Sequence, residues 1–163
     1  MSDFMVRVAK DYTSFSSGHF ITYEGSKCES LHGHNYYVAA SVAGPLCGYG
    51  YVLDFTMLKR LLRAICDQLD HRVLLPSRNP FLLLTEQEDS VTVRYRDKNY
   101  VFPEDDVLLL PISNTTAEML AEWIGLALES NLVQQGVDGV QILEVEVEET
   151  RGQSASWRKR YCI

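Results

Sequence analysis

From Phe4 to Phe15 apolar and polar residues roughly alternate, with Val6 and Val8 set against Arg7 and Asp11. That period of two predicts a strand with one buried face. Asn35 to Val42, rich in Tyr, Val and Ala, predicts a second strand, and Gly44, Pro45, Gly48 and Gly50 break the pattern after it. The period then lengthens. Leu58, Leu61, Leu62, Ile65 and Leu69 recur at intervals of three and four, one buried helix face, with Asp54 or Thr56 as the cap and an end near Asp70. Thr115 and Glu118 have capping-box spacing, so a second helix is predicted to open at Thr115 with Leu120, Ala121, Ile124, Ala127, Leu128 and Leu132 on one face. Asn131 to Gly139 closes it.

Val140 to Thr150 alternates almost without error. Ile142, Glu144, Glu146 and Glu148 fall on one face, and Leu143, Val145, Val147 and Glu149 on the other, so one carboxylate shares the apolar side. A last strand runs from Ser154 to Tyr161 with Ala155, Trp157 and Tyr161 on one side. Between Leu74 and Pro111 the pattern is less regular. Val91 to Tyr95 and Tyr100 to Phe102, joined by Arg96-Asp97-Lys98-Asn99, predict a surface hairpin inserted around 75–110. The order strand, strand, helix, insert, helix, strand, strand predicts an α+β fold, with an antiparallel four-stranded sheet carrying both helices on one face.

The chain has 163 residues, 46% hydrophobic and 23% charged, which predicts one domain over 1–163 with a real core. No run approaches the roughly 20 apolar residues of a membrane span. Met1 to Ala9 has no basic cluster followed by an apolar stretch, so a cytoplasmic location is expected. A net charge of -7 works against nonspecific attraction to nucleic acid or anionic membrane. Arg151, Arg158, Lys159 and Arg160 nevertheless cluster near one end, as a solvated strand or as an anion site. Cys28, Cys47, Cys66 and Cys162 form no Cys-x-x-Cys pair, which predicts free thiols.

The four histidines carry the candidate chemistry. His32 and His34 stand two apart at the entrance to the second strand, so they project from one face, and Gly33 leaves the other uncrowded. His19, at the end of the first strand, is the well-placed third ligand for a zinc site with an open fourth position. Cys28, on the loop into the pair, is expected to shift toward thiolate beside a metal. His71 follows Asp70, which either orients it for proton transfer or leaves it as a cation at a helix end. Glu149 on its apolar face needs a donor, either a ligand with adjacent N–H groups or Arg151.

Phe15-Ser16-Ser17-Gly18-His19-Phe20, Cys28-Glu29-Ser30-Leu31-His32-Gly33-His34-Asn35-Tyr36, Val52-Leu53-Asp54-Phe55, Leu69-Asp70-His71, Thr115-Thr116-Ala117-Glu118 and Val147-Glu148-Glu149-Thr150 follow one another along nearly the whole chain. In that order they resemble the 6-pyruvoyl-tetrahydropterin synthase and 6-carboxytetrahydropterin synthase family. The resemblance implies a tunnelling fold, in which sheets of three subunits close into a barrel and two rings stack into a homo-hexamer with active sites between subunits. It implies zinc on His19, His32 and His34, Cys28 as the proton-transferring thiol, and Asp70 with His71 from a neighbouring subunit. Glu149 would grip the amino-pyrimidine edge of the pterin, with Thr116 adding hydrogen bonds. The implied activity is that of a zinc-dependent lyase converting 7,8-dihydroneopterin triphosphate to 6-carboxytetrahydropterin, as in queuosine biosynthesis. Formation of a pyruvoyl pterin is the related alternative, and a pterin-binding module without turnover is the alternative from outside the enzymes. The adjacent Glu29 also resembles a folate-related branch, where a Glu replaces the Cys and the product is 6-hydroxymethyl-dihydropterin.

Overall fold

The period-two runs become strands and the longer-period runs helices in a computed structural model of the chain, which describes residues 4–23 and 27–161. In chain order the strands before the first helix are β1 (Phe4–His19), β2 (Thr22–Tyr23), β3 (Lys27–Cys28) and β4 (His32–Gly44). Helix α1 (Phe55–Leu69) leads to β5 (Arg72–Pro76), β6 (Leu83–Glu86), β7 (Ser90–Tyr95), β8 (Lys98–Pro103) and β9 (Val107–Leu110). Helix α2 (Ala117–Gln134) is followed by β10 (Ile142–Thr150) and β11 (Gln153–Arg160). Cys162 lies outside the described residues.

The main sheet has six strands, ordered β11-β10-β4-β1-β5-β9, rather than the four expected. It is also mixed. The β11-β10-β4-β1 part is antiparallel as expected, but β5 pairs parallel with β1, and β9 parallel with β5. The two added strands are short runs, Arg72-Val73-Leu74-Leu75-Pro76 and Val107-Leu108-Leu109-Leu110, with no polar alternation for a period-two reading to detect. The expected hairpin is present as β7 and β8, with β6 added on its flank. Its connection is shorter than anticipated. Tyr95 pairs with Lys98, so only Arg96 and Asp97 make the turn, and Lys98 and Asn99 belong to the strand. Nor is the hairpin simply superficial, because Val91, Val93 and Tyr95 are buried against Phe20, Cys28 and Leu75.

One side of the main sheet is covered by both helices. Leu58, Leu61, Leu62, Ile65 and Leu69 of α1 and Leu120, Ile124, Leu128 and Leu132 of α2 meet Val8, Phe15, Tyr36, Val38, Val42, Leu143, Val145 and Val147 in one cluster. Asp54 caps α1 by accepting from the Thr56 N–H at 2.8 Å. At α2 the cap is Thr116, one residue later than the capping-box reading, with its hydroxyl accepting from Met119 N at 3.4 Å. The inward positions of β1 change parity along the strand: Val6 and Val8 face the core, then Phe15, Ser17 and His19 are buried. The switch occurs where the register with β4 slips between Ala9 and Ser14. Thr13 locks that slip by donating to Val38 O and Lys10 O, both at 2.8 Å.

Gly125 of α2 lies under the indole of Trp157 on β11. A Cβ there would fall 2.3 Å from Trp157 Cε3. Ala is ordinarily better than Gly in a helix interior by about 1 kcal/mol. Here the overlap reverses the sign, and Gly125→Ala is expected to destabilise the chain by about 1–3 kcal/mol. Denaturant melts of the single variant and of the same change in a Trp157→Ala background check this. The substitution should become stabilising once the ring is gone, and a gain in the unaltered background would refute the contact as the reason for the glycine.

Candidate active site

At one end the core face of the sheet runs out of apolar residues and continues in polar ones. On β4 the inward series Val42, Ala40, Val38 and Tyr36 continues with His34 and His32, and on β10 the series Leu143, Val145 and Val147 continues with Glu149. On β1 the slipped register brings His19 opposite His32 and Ser17 opposite His34. The three imidazoles therefore meet. Their centroids are 4.7, 5.3 and 4.9 Å apart, and one ligating atom from each lies within 4.8 Å of the others. A Cβ on Gly33 would sit 3.1 Å from Ser17 O, so the residue between the two β4 histidines is set by the close approach of β1.

Backbone carbonyls orient the rings. His19 Nδ1 lies 2.9 Å from Thr115 O, and His32 Nδ1 lies 2.8 Å from Ser30 O. A carbonyl only accepts, so each Nδ1 carries the proton and each Nε2 is left as an acceptor. Burial holds the His19 imidazole below its ordinary value, which favours the neutral form a metal requires. Three converging imidazoles, two of them with the second nitrogen anchored on a carbonyl, are the donor set of a three-histidine zinc site, and the residues present fit that group. Tyr36 and Glu149 border them. The Tyr36 hydroxyl is 3.2 Å from His19 Nε2 and donates to Glu149 Oε1 at 3.3 Å, while Glu149 Oε1 is 3.4 Å from His19 Nε2 and 4.0 Å from His34 Nε2. Burial first, and the Glu149 charge second, push the Tyr36 hydroxyl well above its ordinary value, so it remains a donor.

Two of these partners were not legible as such. Thr115 was expected to cap a helix, yet its carbonyl anchors His19 and its hydroxyl donates to Phe20 O at 2.9 Å. Tyr36 sits in the histidine motif but reads as an ordinary strand residue. Glu149 was offered Arg151 as an alternative partner; among the described residues its contacts are instead Tyr36, His19 and His34. Of the basic cluster, Arg158 pairs with Glu144 and Lys159 with Glu129, which spends half of it on intramolecular bridges.

On the loop before β4, Glu29 and not Cys28 approaches the histidines. Glu29 Oε2 is 4.0 Å from His32 Nε2 and accepts from Ile21 N at 3.2 Å, and Oε1 accepts from the Tyr23 hydroxyl at 2.5 Å. Burial opposes ionisation of Glu29, but the bonds from Tyr23 and Ile21 N, with His32 nearby, outweigh it and hold the carboxyl below its ordinary value. Cys28 turns the other way, into the apolar cluster of Phe20, Leu75, Val91, Val93 and Tyr95. Burial pushes its thiol up, opposite to the shift toward thiolate anticipated for it.

Asp70 and His71 form a pair outside the three clustered histidines. Asp70 Oδ1 accepts from Ser16 N at 2.7 Å, and Oδ2 is 2.9 Å from His71 Nδ1. His71 has a φ of 56° and lines an open groove of about 570 Å³ with Ser16, Ser17, Gly33, His34, Asn35 and Arg72. Gly18, Gly33 and Asn35 alternate with His19, His32 and His34 along the strands, and the groove also reaches His34 at the edge of the histidine cluster.

The Ser16 N–H, then His71, hold the Asp70 carboxyl below its ordinary value. A group depressed in the folded state contributes stability above its unfolded pKa of about 3.9 and loses it as pH falls through the folded value. Asp70→Asn should therefore melt lower than the unaltered chain near pH 6, with the difference shrinking below about pH 3. Thermal midpoints across that range check the sign; a difference that widens in acid would contradict it.

A sequence profile of the family described as 6-pyruvoyl tetrahydropterin synthase matches residues 8–160. A Methanocaldococcus jannaschii protein provisionally named 6-carboxy-5,6,7,8-tetrahydropterin synthase is 36% identical over 146 residues, 89% of each chain. The 6-carboxy-5,6,7,8-tetrahydropterin synthase of Aquifex aeolicus is 29% identical, over 94% of this chain and 90% of its own. Among solved structures, a Plasmodium vivax 6-pyruvoyltetrahydropterin synthase in which a catalytic glutamate is replaced by alanine superposes with a TM-score of 0.93 at 31% identity. That match covers 99% of this chain and 100% of the other. With the profile spanning both the histidine cluster and Glu149, the chain belongs to the 6-pyruvoyl tetrahydropterin synthase family.

Proposed function

We propose that the chain is a cytoplasmic zinc-dependent lyase that acts on the side chain of 7,8-dihydroneopterin triphosphate and forms 6-carboxytetrahydropterin. The observation that carries this reading is the convergence of three histidines and the Glu149 carboxylate on one sheet face, a metal donor set beside an acceptor for adjacent N–H groups. The names of the Methanocaldococcus and Aquifex relatives support the carboxylated product. His19, His32 and His34 would hold zinc through Nε2, and the bound ion supplies Lewis-acid polarisation that lowers the pKa of a side-chain hydroxyl.

The remaining work belongs to the chain's own residues. Glu149 accepts from the amino-pyrimidine edge of the pterin, held by the Tyr36 hydroxyl, and Thr116 adds a hydrogen bond from the start of α2. Asp70 fixes the Nδ1–H of His71 and leaves Nε2 to exchange protons. The pair is not among the three clustered histidines of its own chain, and by the family pattern it is assigned to the site of a neighbouring subunit. A homo-hexamer of two stacked trimeric rings supplies that neighbour. In the carboxylated route Cys28 is the proton-transferring thiol. Triphosphate leaves from the third side-chain carbon, and an internal shift of hydrogen reduces the ring to the tetrahydro level. Water then cleaves the bond between the first and second carbons, so that the first stays as the carboxyl group and the other two leave as acetaldehyde.

The orientation of Glu29 favours a second reading, cleavage to 6-hydroxymethyl-dihydropterin. Held ionised near His32, Glu29 takes the proton from the hydroxyl on the second side-chain carbon. The bond between the first and second carbons then breaks and its electron pair passes into the ring imine. The departing carbons leave as a triphosphate-bearing glycolaldehyde, and a proton returns to the first carbon. The catalytic glutamate named in the Plasmodium vivax relative supports this role.

Zinc content and mass-resolved product analysis with 7,8-dihydroneopterin triphosphate test both readings. One zinc per subunit is expected, lost in the His19→Ala, His32→Ala double variant; full occupancy there would end the metal assignment. Acetaldehyde marks the first route and the glycolaldehyde derivative the second. Glu29→Ala should reduce the second by about 10²–10⁴-fold, the usual contribution of a positioned base. If every product and rate is unchanged, Glu29 is a bystander and the carboxylated route stands alone.

Glu149→Gln should weaken pterin binding by about 1.5–3 kcal/mol, the scale of a hydrogen bond to a charged group, while zinc stays bound. Calorimetric titration with a pterin checks this. Unchanged affinity would remove Glu149 from the binding edge.

A further inference from the structure

The insert between β5 and β9 reaches the loop that carries Cys28 and Glu29. Its inward residues Val91, Val93 and Tyr95 pack with Phe20 and Cys28, and Tyr100 stacks on Phe20 at 5.5 Å between centroids. The tight turn at Arg96 and Asp97, with Arg96 at a φ of 53°, makes Lys98 the first residue of β8. From there Lys98 Nζ donates to Cys28 O at 2.9 Å and to Glu29 O at 3.2 Å. An ammonium has three donors and no acceptor, so it can hold two consecutive carbonyls at once. Each of those carbonyls belongs to a planar peptide unit, and holding both fixes the rotation of the chain about Glu29. Glu29 N donates to Ile21 O at 3.0 Å on the other side of the loop. Neighbouring side chains in an extended segment point apart. With the backbone held, Cys28 enters the apolar cluster and Glu29 meets Ile21 N, Tyr23 and the edge of His32.

We infer that Lys98 is a positioning residue, through which the insert fixes the Cys28–Glu29 segment with the carboxylate toward the histidines and the thiol away from them. Exchanging the two side chains requires the backbone to turn, and that breaks both Lys98 bonds. The insert thereby selects which of two adjacent groups serves as base. This consequence for product choice rests on the second reading above, while the positioning itself does not.

Peptide-resolved alkylation of the full chain with iodoacetamide separates the two. Lys98→Met keeps the aliphatic stem and removes the donors. It should raise the alkylation rate of Cys28 by about tenfold, equivalent to about 1.4 kcal/mol at 25 °C. Cys66, on the buried face of α1, should stay as protected as before, and Lys98→Arg should restore the slow rate at Cys28. Unchanged protection of Cys28 in the Met variant overturns the inference, as does parallel exposure of Cys66 or failure of Arg to restore protection. On 7,8-dihydroneopterin triphosphate the Met variant should lose glycolaldehyde derivative relative to acetaldehyde. Faster alkylation with an unchanged product ratio would confirm the positioning and overturn Glu29 as the base.

Discussion

Everything at the candidate site depends on the period of two in β4, and on its being kept in step with β1 and β10. The same alternate positions that deliver Tyr36, Val38, Ala40 and Val42 to the core deliver His34 and His32 beyond it. One sheet face thus serves two ends: apolar where the helices cover it, polar where they do not. A strand shifted by one residue would move every such side chain to the opposite side. The register slip of β1 is what satisfies this constraint, because without a change of parity Val8 and His19 could not both face inward. Thr13, fully buried with its hydroxyl on two carbonyls, holds the irregularity in place.

The placing of these groups has a chemical meaning. Three imidazoles and a carboxylate gather on the helix side, where burial favours the neutral form of His19 and backbone carbonyls orient the rings of His19 and His32. The Asp70–His71 pair stands in a groove that His34 also borders, where His71 is largely exposed and can meet water or another surface. The loop of Glu29 brings a second carboxylate, after Glu149, to the edge of the histidines within the same chain.

The sequence disclosed what repeats and what is chemically rare. The helices, the antiparallel strands, the three histidines and the inward Glu149 follow from periodicity and spacing, and the structure places them accordingly. It concealed β5 and β9, whose Leu-rich runs carry no alternation, since a strand buried on both faces loses its period. The direction of Cys28 was not legible because spacing to His32 does not reveal which way an extended loop turns; Lys98, nearly seventy positions along the chain, holds the two carbonyls there. Thr115 was hidden for a similar reason. Its useful atom is a main-chain oxygen, which every residue has and no motif can single out.

That main-chain oxygen ties the site to the scaffold in a way the side chains do not. Thr115 holds His19, and the very next residue, Thr116, starts α2. The ring of one metal donor and the first turn of an eighteen-residue helix therefore share a lever one peptide long. Leu120 and Ile124, on the turns that follow, are seated in the core. One peptide thus joins the most buried of the three imidazoles to the opening of α2, and a disturbance at that ring has its shortest route into the scaffold through the amides of the helix's first turn.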